Sequence, residues 1–236
     1  MKGKIFYFIV GISLLFLHFR FTNNIEIVSF NYKEQIIENK KRISVEGEVF
    51  YRYIDQLLVT YMNKPFKSLV KVKNTGDIEI YDFEKNTVFI EHSNYTSSQQ
   101  SYLWYFLSSN YQDMGLAKAG YSIKDSKIED GYFTSYWVPK INNGIKHIML
   151  AFDKNQLPVY QEIVSKNGEI KGKIYFMNYV KNQGINIPSK IVDIFFKTKK
   201  DSSVSIKEYS NIKINGQVNT YYINYKIPAN AQIISK

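Results

Sequence analysis

Three histidines and no cysteine leave this 236-residue chain little with which to do chemistry. Without thiols there is no disulfide framework, thiolate nucleophile, iron–sulfur centre or Cys-bound zinc. His18 falls in an apolar N-terminal segment. His92 and His147 are isolated from each other and suit surface or core roles better than a metal site or a catalytic base. Glu129-Asp130 abut Gly131, where carboxylates form turns. Ser108-Ser109 lacks a G-x-S-x-G setting, and no Gly-rich phosphate loop is present. No catalytic residue, metal ligand or cofactor is expected, and the chain reads as a non-enzyme.

What the residues do offer is apolar surface at strand spacing. Hydrophobic content is 44%, with 20 Tyr and 16 Phe, a mixture that suits strands and apolar interiors. Ile43, Val45, Val49, Tyr51 and Tyr53 alternate with Glu46, Glu48 and Arg52, so one face is dry and the other wet. Val49, Tyr51, Val59, Tyr61, Val70, Val72, Ile78 and Ile80 are expected to line one apolar face. That face needs a partner. Leu103, Phe106 and Leu107 follow helical spacing, with Trp104 and Tyr111 widening the apolar side. The helical segment is either a core-packing helix or a movable lid. Between it and the sheet lies either a cavity for acyl chains, each buried methylene contributing about 0.8 kcal/mol, or an interior filled by Phe and Tyr.

The elements that must position these residues are mostly hairpins. Strands are expected at 25–37, with a bulge near Ile27-Val28, then at 42–53 and 57–62. Pro65 ends the third, and 67–73, 78–83 and 87–92 follow. Tyr95–Gly120 is the one helical interruption, with Ser97 and Gln100 in capping-box form. Hairpins resume over 121–128, 132–138, 145–152, 159–165, 170–180, 190–198, 203–214 and 221–227. Asn-Gly at 143–144, 167–168 and 215–216 gives the strongest turn signals. The expected fold is mainly β (α+β): a strongly curved, unclosed antiparallel half-barrel of about ten to twelve strands under a helical lid.

Lys2 and Lys4 precede the uncharged run Ile5–Leu17, whose 13 residues fall short of the roughly 20 that span a bilayer. The run fits a signal-peptide core, so export to the periplasm is expected. Residues 1–22 are either a cleaved leader or a retained anchor, and 23–236 form one domain. Net charge is +10, and falls to +7 if Lys2, Lys4 and Arg20 leave with the leader. Lys40–Arg42 and Lys197–Lys200 are the dense basic clusters, serving either as solvated edges or as a docking surface for an anionic membrane or acidic partner. No recognition motif accompanies the charge, so nucleic acid is not an expected partner.

The order of elements resembles the LolA-like family of periplasmic lipoprotein carriers and lipid-binding proteins. The resemblance rests on Lys64-Pro65, on Asn74-Thr75-Gly76-Asp77 leading into Ile78-Glu79-Ile80-Tyr81-Asp82, and on the helical insert after the next strand. It continues through Leu157-Pro158, Asn167-Gly168, Phe176-Met177-Asn178-Tyr179, Ile187-Pro188 and the closing Ile227-Pro228-Ala229-Asn230-Ala231-Gln232-Ile233-Ile234. It implies an unclosed barrel whose concave face receives acyl chains of lipoproteins or lipids beneath a lid. It also implies a monomer, without cofactor, that takes cargo from an inner-membrane ABC-type complex and passes it to an outer-membrane acceptor. A lipid-sensing module regulating a membrane partner is the alternative on the same fold. Two departures stand out. Lys64 occupies the place of the family's lid-locking Arg but lacks its planar fork, and the chain begins with a strand where the carriers begin with a helix.

Overall fold

The computed structural model describes residues 25–92, 102–198 and 201–234. The leader and the Ser97–Gln100 capping box lie outside these. The strands are β1 (Ile27–Glu38), β2 (Lys41–Arg52), β3 (Leu57–Lys64), β4 (Ser68–Val72), β5 (Asp77–Asp82) and β6 (Thr87–His92). After the helix α1 (Tyr102–Leu107) come β7 (Tyr121–Glu129), β8 (Tyr132–Pro139), β9 (Ile145–Phe152), β10 (Pro158–Ser165), β11 (Ile170–Asn182), β12 (Ile185–Thr198), β13 (Asp201–Ile214) and β14 (Gln232–Ile234).

All fourteen strands join one sheet, ordered β14-β6-β5-β4-β3-β2-β1-β13-β12-β11-β10-β9-β8-β7. Pairing is antiparallel except at β14, which runs parallel to β6. β7 and β14 are its edges, so the sheet is unclosed among the described residues. It is curved enough for one apolar cluster to gather residues from β1–β5, β9 and β11–β13 around α1.

Four expectations are corrected. The described residues form fourteen strands where about ten to twelve were expected. Among the described residues the helical lid reduces to six helical residues followed by turns: Ser109 takes a positive φ just past Leu107, and Gly115 and Gly120 turn the chain again further on. The early bulge lies between Ser29 and Asn31 against β13, not at Ile27-Val28. Residues 221–227 are not a strand. Asn215 Oδ1 accepts from the Glu26 and Ile27 amides, at 2.8 and 3.2 Å, and the Asn-Gly pair turns the chain off the sheet instead of into a hairpin. Val218 and Ile223 then bury against the convex side.

The strands beside β2 are apolar on both faces. Val49 and Tyr51 face inward, while Phe50 faces outward with Val59, Leu69, Tyr81 and Val88. The chain after β13 straps this outer face. The Tyr222 ring stacks on Tyr61 at 3.7 Å, and Lys71 Nζ donates to the Tyr225 carbonyl at 2.6 Å. Arg52 also donates to Asn224 Oδ1 at 2.9 Å.

Gly47 of β2 sits where β3 passes closest, and a Cβ there would collide with the Tyr61 carbonyl oxygen. Backbone cannot yield as a flexible side chain would. Gly47→Ala is expected to lower the unfolding free energy by about 2 kcal/mol or more, measured by chemical denaturation.

Candidate functional site

Pairing register decides which predicted lining residues meet. Val49 lies opposite Thr60, Tyr51 opposite Leu58, Val70 opposite Ile80 and Val72 opposite Ile78. Residues directly opposite share a face. Val49, Tyr51, Val72 and Ile78 therefore enter the concave core, with Val70 and Ile80 packed at its margin. Val59 and Tyr61 do not. Val59 lies opposite Phe50, and both it and Tyr61 belong to the convex cluster under the strap. The turn at 53–56 reverses the parity that a count along the sequence assigns to β3.

The predicted covering residues do come to the concave face. Leu103, Phe106 and Leu107 are buried there, with Trp104 half-buried beside them. Phe106 meets Phe176 edge-on at 5.3 Å, Tyr102 meets the same ring at 5.4 Å, and Tyr111 stacks on Phe106 at 5.7 Å. The space expected as a hollow is thus occupied by the chain's own rings, and Tyr51 is 0% exposed beneath them. The hold on this plug is apolar. Its hydrogen bond from α1 to the sheet side runs from Trp104 Nε1 to the Gln56 carbonyl, at a long 3.3 Å.

Lys64 does not lock α1. Its ammonium bonds Glu46 across β2 and β3 at 2.9 Å, and that contact holds the Glu46 carboxyl below its ordinary range. Both side chains are solvent-exposed, so the pair contributes little to stability.

An open cleft of about 510 Å³ abuts the plug, lined by Tyr111, Gln112, Phe133, Phe152, Asn155 and Gln156. Phe152 belongs to the concave core and Tyr111 packs against it, so this mouth leads directly to Phe106. A larger cleft of about 600 Å³, lined by Asn31, Glu46, Glu48, Asn178, Lys190 and Glu208 among others, is polar and lies elsewhere.

Sequence reasoning missed a polar feature inside the apolar face. Asp193 points inward between Ile191 and Phe195, at the same parity, and is only 3% exposed. Lys207 Nζ bonds its Oδ2 at 2.5 Å, while Oδ1 has no hydrogen-bond partner. Glu34 beside them accepts from Tyr32 and Ser205, each at 2.5 Å. Gln161 lies on the same transverse row, since both it and Asp193 pair with Ile174, and its Oε1 is likewise buried and unpartnered. The signal was available as one acid inside Ile191-Val192-Asp193-Ile194-Phe195.

Burial raises the Asp193 carboxyl above the ordinary aspartate range, against the opposing pull of Lys207. Burial likewise raises the Tyr102 hydroxyl, assisted by the Asp193 charge. His147 stands edge-on to Tyr136 at 5.6 Å, and burial lowers its imidazole. His92 enters β6, remote in sequence from it.

No family model matches the sequence, and no curated protein matches it. Solved structures do. A DUF1329 family protein from Desulfovibrio piger is 14% identical, with a TM-score of 0.57 over 86% of this chain and 92% of that one. A LolA superfamily protein from Nitrosomonas europaea is 12% identical, with a TM-score of 0.55 over 84% and 92%. A domain described as an outer membrane lipoprotein-sorting protein, from Vibrio parahaemolyticus, is 11% identical, with a TM-score of 0.59 over 84% and 89%. The chain has a LolA-like fold. Among the described residues, no helix is long and apolar enough to cross a membrane.

A raised carboxyl favours folding while protonated. Its stabilising contribution is complete below the unfolded value and is lost as pH rises through the folded one. The stability of the natural protein minus that of Asp193→Asn should therefore fall as pH rises from about 4 towards 7. Parallel thermal melts of the two proteins would measure it.

Proposed function

We propose, on the premise of a LolA-like fold, that this chain is an exported, non-enzymatic carrier of acyl chains. In this proposal the concave face is the binding surface and α1 is its resident occupant. One observation carries the proposal: an apolar plug held by side-chain packing stands behind an open cleft. Leu103, Phe106 and Leu107 share one buried cluster with Val49, Tyr51, Val72 and Ile78, and Phe106 packs edge-on against Phe176 of β11. A six-residue helix has little stability of its own. An acyl chain entering past Tyr111, Phe133 and Phe152 can replace those contacts with equivalent ones.

The exchange is close to balanced because both occupants are apolar. Each methylene buried from the ligand gains about 0.8 kcal/mol, and each α1 side chain displaced forfeits a comparable amount per unit area. Near balance suits a carrier, since cargo held too tightly cannot be passed on. Carriage across the periplasm, from an inner-membrane ABC-type releasing complex to an outer-membrane acceptor, is the role that this exchange would serve. The acyl chains of lipoproteins or lipids are the cargo class.

Weakening the resident occupant should strengthen the visitor. Leu107→Ala removes plug packing while leaving the sheet face intact, so affinity for a fluorescent palmitate analogue is expected to rise about tenfold or more, from a truncation of about 2 kcal/mol or more. Val49→Gln on the sheet face should lower it. Fluorescence titration reads both changes. Undetectable binding to the natural protein and to Leu107→Ala alike would overturn the carrier proposal.

A further inference from the structure

Antiparallel pairing sends alternate hairpin tips to opposite ends of the sheet, and here the two ends differ in charge. One end carries the connections β1–β2, β3–β4, β5–β6, β8–β9 and β10–β11; the other carries β2–β3, β4–β5, β7–β8, β9–β10 and β11–β12. Counting each turn with one flanking residue on either side, the first end holds seven lysines against four acids. The second holds Asp55, Asp77, Glu129, Asp130 and Asp153 against Arg52, Lys73 and Lys154, so the molecule is polarised from end to end.

Some of the basic end is internally neutralised. Lys64 pairs with Glu46, Lys85 with Asp82, Lys171 with Glu169 and Lys197 with Glu38. Lys40, Lys41, Arg42, Lys67, Lys140 and Lys166 are exposed and make no ion pair with an acid among the described residues. Their charge is directed outward.

Exposed apolar side chains sit beside these cations. Phe66 precedes Lys67 and is 53% exposed; Ile141 follows Lys140 at 83%; Ile43 follows Arg42 at 51%. They stand singly on separate tips. A protein interface of ordinary strength gathers its apolar residues into one contiguous centre. Isolated apolar tips among cations instead match a lipid interface, where each side chain inserts separately and each cation meets an anionic headgroup. We infer that this end of the sheet docks on an anionic phospholipid surface. The inference does not depend on what occupies the concave face.

The test is sedimentation of the full chain with vesicles of phosphatidylcholine alone and with about one-third phosphatidylglycerol. The N-terminal apolar segment, with Lys2, Lys4 and Arg20 beside it, is common to every variant, so the change in anionic excess between variants reports the basic end. That excess is expected to be present at ~0.1 M salt and largely lost at ~0.5 M, where screening shortens the reach of charge. Lys40→Gln with Lys41→Gln and Arg42→Gln should reduce it about a hundredfold, these positions being exposed and unpaired. Phe66→Ser with Ile141→Ser should weaken binding while leaving its salt dependence unchanged.

A control with the same charge change, Lys154→Gln with Lys181→Gln and Lys213→Gln, should leave the anionic excess nearly intact. Equal binding to both vesicle types would overturn the inference and favour an acidic protein as the partner of this end. An equal loss in the control would also overturn it, reducing the effect to net charge.

Discussion

A sheet that is apolar on both sides cannot leave either side bare, and most of this structure follows from that. In β2–β5 the alternation places Val49, Tyr51, Leu58, Val72 and Ile78 inward and Phe50, Val59, Leu69 and Tyr81 outward. Each face needs its own cover. The link between β6 and β7 supplies the inner one as α1 and the turns after it, and the chain beyond β13 supplies the outer one. The two covers differ in how they are held. The outer strap is tied by Lys71 and Arg52 and by a parallel strand pairing, whereas α1 is held chiefly by packed rings.

That difference separates a structural cover from an exchangeable one. Removing the strap would sacrifice directional hydrogen bonds as well as apolar burial. Removing α1 exposes a surface that an aliphatic chain can cover equally well, because apolar burial is non-directional. The buried Asp193–Lys207 pair beside the plug is a polar exception in this surface. Burying it costs desolvation that the contact with Lys207 offsets only in part, since Asp193 Oδ1 keeps no partner.

Much of the fold was legible in the residues. Alternation over 43–53 put Val49 and Tyr51 on the inner face of β2, although the face expected to be wet is dry at Phe50, and Asn-Gly at 143–144 and 167–168 marked real turns. The same dipeptide at 215–216 misled, because the Asn215 side chain is committed to β1 and the apolar residues that follow find the convex face. The apolar positions of α1 were legible too, but its length was not. Turn-forming Gly115 and Gly120 lie within a segment whose composition still resembles a helix.

The amino-acid order alone determined where strands run, where most of them turn, and which residues within one strand share a face. It also excluded thiol chemistry, since no cysteine exists to perform it. Only the tertiary structure decided which of the two faces Val59 and Tyr61 would join, whether Lys64 would meet α1 or Glu46, and whether the concavity would stand empty or filled. Parity is a property of a single strand, whereas the face shared by two strands depends on turn geometry and bulges between them. The occupant of the hollow depends on a helix too short to form by itself, which exists here because the sheet offers its rings a place to pack.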